Sequence, residues 1–225
     1  MDASGYITLS RQAGLMDQMG VIAHNMANIS TTGFRREGMI FSEYVQAVPD
    51  GPSISMAWGN TRAMDLSQAG LTQTGGTYDF AIQGQGFFQV QGPQGVQLTR
   101  AGAFTPNASG ILMNSEGMAL LDEGGSPITV PPGAAKVALA QDGTVSADGT
   151  PVAKLGIVTP DDPNSLIHQQ GTLFTAGTVQ PVEQPTVLQG YLEDSNVDAV
   201  SEISRMIAVQ RAYEMGQGFL DRRRR

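Results

Sequence analysis

Only a few side chains in this sequence have types and spacing that invite chemistry. Gly84-Gln85-Gly86 has the opening of a phosphate cradle, in which glycines let the backbone close on a pyrophosphate at a helix N-terminus. The third cradle glycine is replaced by Gln89, and Phe87-Phe88-Gln89-Val90-Gln91 continues as a strand where the helix would have to open. The run therefore reads as a tight turn between two strands. The two histidines, His24 and His168, fall in different elements, and His24 has no carboxylate or second histidine at metal-ligand spacing. Asp161-Asp162 with Pro163 and Asn164 is turn chemistry, since a calcium loop needs alternating oxygen ligands closed by a glutamate. Asp122-Glu123 before Gly124-Gly125 is a solvated turn of the same kind. No Gly-x-Ser-x-Gly elbow occurs, and the absence of cysteine removes thiol nucleophiles, disulfides and cysteine-rich zinc sites. The sequence thus assigns no catalytic, cofactor-binding or metal-ligating residue, and the chain is not read as an enzyme.

The elements that would position such residues are more informative. Near the start, Tyr6, Leu9, Ala13, Met16, Gly20, Ala23 and Ala27 recur at alternating steps of three and four, beside a second row, Leu15, Met19, Ile22, Met26 and Ile29. Near the end, Val200, Ile203, Ile207, Ala208, Ala212, Met215 and Phe219 form a broader stripe. Such spacing places residues on one helical face, and its sustained alternation is that of a coiled-coil seam. The expectation is that the two ends meet as paired helices, which then pack against further copies. Gly20, Ala23 and Ala27 are small enough for a facing helix to approach closely.

Ser30-Thr31-Thr32-Gly33 should terminate the first helix, with Phe34 anchoring the exit. Phe34 to Tyr44 reads as an extended arm, and Val48 to Asn60, with Pro49, Gly51, Pro52 and Gly59, as loop. Beyond Met64 short alternating strands follow one another, punctuated by turns such as Asn107-Ala108-Ser109-Gly110 and Asp142-Gly143. The fold class expected is α+β. Residues 1–33 and 188–225 supply a coiled-coil-like module of N- and C-terminal helices, 34–74 an arm and linker, and 75–187 an inserted antiparallel β domain.

Composition narrows the function. The 225 residues suffice for one large or two medium domains. Charged residues are 15% against roughly 25% in ordinary soluble domains, and glycine is abundant at 28. Such a profile suits turn-rich β structure and surfaces that meet other proteins. A net charge of −8 argues against nucleic-acid binding, and the basic run Arg222 to Arg225 reads as a local tail or a trimmed terminus. No stretch reaches the ~18 apolar residues that span a bilayer. The first residues do not form a secretory signal, so export, if it occurs, is expected by another route.

Several segments together resemble the flagellar axial family of rod, hook and related proteins. Asn25-Met26-Ala27-Asn28-Ile29-Ser30-Thr31-Thr32-Gly33-Phe34-Arg35 is similar to its N-terminal motif. Asp79 to Phe88 and Leu98-Thr99-Arg100-Ala101-Gly102-Ala103-Phe104 are similar to its central motifs, and Ser195-Asn196-Val197-Asp198 with Ile207 to Glu214 to its C-terminal signature. The run Phe34 to Tyr44 looks most like the proximal rod branch, with the distal rod branch as rival. The resemblance implies a structural subunit of the flagellar rod, a drive shaft crossing the periplasm, exported by the flagellar type III apparatus. Implied partners are copies of itself and other rod proteins, with no cofactor, nucleic acid or membrane insertion. Residues expected to pack between subunits are Leu9, Ala13, Met16, Ala23, Ala27, Val200, Ile203, Ile207 and Tyr213, with Asn25, Asn28 and Gln210 setting helix register through hydrogen bonds. Thr31, Thr32, Gly33 and Phe34 would form the helix exit. The rival readings are a distal rod or hook-type protein of the same family, or a secreted β-rich binding module with a helical stalk.

Overall fold

The computed structural model describes residues 3–46, 54–93 and 95–224. Its chain divides into two compact units, one of residues 1–29, 36–65 and 197–225, the other of residues 30–35 and 66–196.

The first unit is built from both ends of the chain. Helix α1 spans Ala3–Ala27 and helix α2 spans Ala199–Arg224. Between them in sequence, β1 (Glu37–Gln46) and β2 (Ile54–Met64) pair antiparallel as a hairpin. This corrects the reading of Val48 to Asn60 as loop: from Ile54 onward the chain is strand, and residues 48–53 lie outside the described residues. The dense Pro49, Gly51 and Pro52 masked a strand that begins just after them. The register passes from Phe41↔Gly59 to Ile40↔Thr61, which leaves Asn60 as the extra residue of a bulge.

On α1, Gly14, Val21, Ile22 and Asn25 are buried and Gln18 half-buried. On α2, Glu202 and Val209 are buried, and Met206, Tyr213 and Gly216 half-buried. Gly216 closes on Gln12, whose amide Nε2 would lie 3.4 Å from a Cβ there. Helix α2 starts with an N-cap, since the Asp198 carboxylate accepts the Ser201 N–H at 2.8 Å. Those hydrogen bonds hold the Asp198 carboxyl below the usual carboxylate range.

The second unit is antiparallel β throughout its described pairings. Strands β3 (Leu71–Gln73), β4 (Phe80–Gln83), β5 (Phe87–Gly92) and β6 (Gly95–Thr99) open it. In its largest sheet β5 is central, pairing with β6, with Ala119–Leu120 and with Ile157–Pro160. Strand β4 pairs with Thr186–Gln189, and β3 with Tyr191–Glu193, so the last strands return to close the unit beside its first. Phe80, Phe88, Val90, Phe104, Leu112, Leu120, Val145, Leu155 and Val187 form its core. Alternation along β5 does this: Phe88 and Val90 point inward to one core, with Gln89 half-buried and Gln91 exposed between them. The Gly84–Gly86 turn joins β4 to β5, but these strands pair with different partners and do not form a hairpin.

Candidate functional site

The helix exit is built into the β-rich unit. Gly33 has φ +73° and donates its N–H to the Glu193 carbonyl at 2.7 Å. A Cβ there would lie 2.3 Å from the Ala101 backbone nitrogen, so both the conformation and the space require glycine. Phe34 is fully buried and meets His168 edge-on at 5.8 Å between ring centroids. His168 also packs on Phe174 and donates Nε2–H to the Gly171 carbonyl at 2.8 Å, the behaviour of a ring serving as packing. Thr31 closes the turn by accepting the Phe34 N–H at 3.2 Å, and Thr32 is half-buried beside it.

Arg35 then enters a buried charge cluster. Its Nη2 donates to Glu193 Oε1 at 2.7 Å, while Arg100 Nε donates to Glu193 Oε2 at 2.7 Å. Arg100 also donates to the carbonyls of Gly86 at 2.6 Å, Gly84 at 3.0 Å and Ile82 at 3.3 Å. Burial pushes the Arg100 guanidinium below its ordinary value, against the attraction of Glu193, and neighbouring Arg35 adds to the depression. This settles what the glycine turn does. Positive φ at Gly84 and Gly86 accompanies carbonyls turned toward a cation, the opposite of the amide cradle that holds phosphate.

The first unit has its own polar node. Asn25, fully buried, accepts the Glu37 N–H at 2.9 Å through Oδ1 and donates from Nδ2 to the Glu37 carbonyl at 2.8 Å. The same Nδ2 donates to Glu202 Oε2 at 3.2 Å. Glu202, also fully buried, takes Arg36 and Arg205 on Oε1, each at 3.4 Å, and Arg36 reaches Asp65 at 3.2 Å. His24 Nδ1 lies 3.7 Å from Glu37 Oε1.

The structure separates the remaining sequence candidates from these nodes. Leu9, Ala13, Met16, Ala23 and Ala27 are all exposed on α1, with Leu9 at 51% and Met16 at 57%. Val200, Ile203, Ile207 and Gln210 are exposed on α2, with Val200 at 72%, while Tyr213 is half-buried. Asn28 caps its own helix by donating to the His24 carbonyl at 2.9 Å. Sequence reasoning missed Glu193 and Glu202. The available signal was an acid inside an otherwise apolar pattern, Tyr191-Leu192-Glu193 in one case and Val200 to Ile203 in the other.

Comparison with known proteins agrees with this anatomy. Residues 81–147 match the family model described as the flagellar hook protein FlgE/F/G D1 domain, and residues 188–220 the flagellar basal body rod FlgEFG protein C-terminal model. The flagellar basal-body rod protein FlgF of Caulobacter vibrioides is 40% identical over 98% of this chain and 93% of its own length. FlgF of Mesorhizobium japonicum is 34% identical, covering 95% of this chain and 90% of the relative. The rod protein FlgG of Agrobacterium fabrum is 35% identical over 87% of this chain and 85% of its own length. This near full-length likeness shows that the chain belongs to the FlgF family of flagellar basal-body rod proteins, and is a structural subunit of the flagellum, not an enzyme.

Proposed function

We propose that this rod subunit assembles by non-closing, head-to-tail association, in which α1 and α2 pair as a coiled-coil-like module and meet the helices of neighbouring subunits. Heterologous contacts that do not close generate a helical tube instead of a ring. The observation that supports this reading is the second, unused apolar stripe on each helix. Leu9, Ala13, Met16, Ala23 and Ala27 on α1, and Val200, Ile203 and Ile207 on α2, continue a heptad beside the row that faces inward. Two such rows on one helix suit a helix with neighbours on more than one side. Each helix spans about 35–40 Å at about 1.5 Å per residue, so torque passes through many lateral contacts at once.

In this reading the helices form the axial core and the β-rich unit lies outside it. Partners are further copies, the proximal neighbours, the distal rod protein FlgG and the flagellar type III export apparatus. Residues 1–33 and 188–225 serve the core, 34–74 the link, and 75–187 the outer domain. Gathering both chain ends into one unit supports that partition.

Ile207→Asp tests the interface. Ile207 is 44% exposed, so the lone chain tolerates a carboxylate there, whereas a packed interface does not. The expected outcome is loss of the subunit from purified basal bodies and loss of swimming, with the β-rich unit still melting at the wild-type temperature. Normal swimming by the variant would overturn the proposal.

A further inference from the structure

We infer that Asn25 and Glu202 form a pairing lock, which makes α1 accept α2 in one register and rejects pairing of either helix with its own kind. The inference rests on the two helices lying against each other within one chain, and it is tested there, without the rod. Asn25 uses both of its amide protons and its amide oxygen. Oδ1 and one Nδ2 proton are taken by the N–H and carbonyl of Glu37, as a neighbouring strand would take them, and the second proton goes to Glu202. Three elements therefore converge on one side-chain amide: the last turn of α1, the first residue of β1 and the first turn of α2.

The rest of the inward-facing row discriminates poorly. Gly14, Gln18 and Val21 on α1, and Met206, Val209 and Gly216 on α2, are small or adaptable and would pack in several alignments, while Ile22 and Tyr213 add bulk that packs without requiring a hydrogen bond across the seam. The node is the part least tolerant of a shift. One turn along α2, Met206 would replace Glu202 opposite Asn25 and leave a buried amide proton without an acceptor. Pairing α2 with another α2 would bring two buried Glu202 carboxylates toward the same seam without Asn25. Pairing α1 with another α1 would set Asn25 against a partner offering no carboxylate. A buried polar pair at a seam that fixes alignment at a cost in stability is the best-attested use of such groups.

The chain has no cysteine, so spin labels attach only at introduced positions. Asp17→Cys on α1 and Arg211→Cys on α2, both at exposed positions, report the helix-to-helix distance by pulsed electron paramagnetic resonance in the full chain. The lock expects one narrow distance distribution in this background. With N25L/E202L added, it expects a broadened or bimodal distribution, displaced by up to about 5 Å, one helical turn, with helical circular dichroism retained. A distribution as narrow as the parent's would overturn it. Because an apolar pair could also alter folding, a second comparison keeps Asn25 and its Glu37 bonds and uses Glu202→Leu, which removes the acceptor, and Glu202→Gln, which keeps an amide oxygen for the Asn25 proton. The lock expects broadening in the first and a narrow distribution in the second. Equal distributions in the two would overturn it, whatever happens to rod incorporation of Ile207→Asp.

Discussion

Removing the Glu193 carboxylate would leave the Arg35 and Arg100 guanidinium groups buried side by side with no counter-charge. Breaking a buried ion pair by deleting one partner costs about 3–5 kcal/mol, so Glu193→Ala should shift urea unfolding of the β-rich unit by that amount. Gly33→Ala should destabilise the same unit by more than about 1 kcal/mol, because a positive φ strains alanine and its Cβ meets the Ala101 backbone. Asp198 gives a pH test. Its folded-state carboxyl titrates below its unfolded value because the Ser201 hydrogen bonds favour the charged form. Its contribution is therefore present above the unfolded pKa of about 3.9, and is lost as pH falls through the lower folded value. Thermal melts should show wild type above Asp198→Ala at neutral pH, with the gap closing below about pH 4. Gly33, Asn25 and Arg100 were visible in the sequence as motif residues. Glu193 and Glu202 were not, since an acid in a short strand or on a helix reads as solvent-facing until the fold supplies the arginines that bury it.

Among the elements, the helices were legible and their contacts were not. The alternating row from Leu9 to Ala27 is the exposed one, while the less exposed side joins Gly14, Gln18, Val21 and Asn25 to the second sequence row, of which Ile22 is buried and Leu15, Met19 and Met26 half-buried. That composition makes a weak seam. It buries Gln12 Nε2 with no hydrogen-bond partner among the described residues, and an unmatched buried donor costs about 1–3 kcal/mol. Ordering each helical residue costs a further 1–2 kcal/mol or so of backbone entropy. Away from the Asn25–Glu202 node, the helices of a lone chain should thus be only marginally held, and helical circular dichroism should be lower in dilute monomer than in assembled rod. Equal helicity in the two states would refute this. The hairpin of β1 and β2 escaped sequence reading for a different reason. Pro49, Gly51, Pro52 and Gly59, residue types that favour turns, hid an eleven-residue strand whose pairing partner alone reveals it.

For the whole molecule, the sequence indicated helical ends around a β-rich middle, whereas the first compact unit joins both chain ends to residues 36–65, the stretch read as arm and linker. What it could not indicate is that residues 30–35 belong with the β-rich unit, because that membership depends on the Glu193 carbonyl and carboxylate, far away in the chain. Limited proteolysis of the monomer should remove residues from both ends and leave a resistant fragment covering most of residues 66–196. Sparing of α2 under conditions that cut the β-rich unit would contradict this. The first unit is assembled from three separated stretches, the last of them residues 197–225. A chain emerging from the ribosome can complete its β-rich part while α1 still waits for α2, so the portion with the stickiest faces is the last to mature. Synthesis order thereby acts as a safety catch against premature clumping.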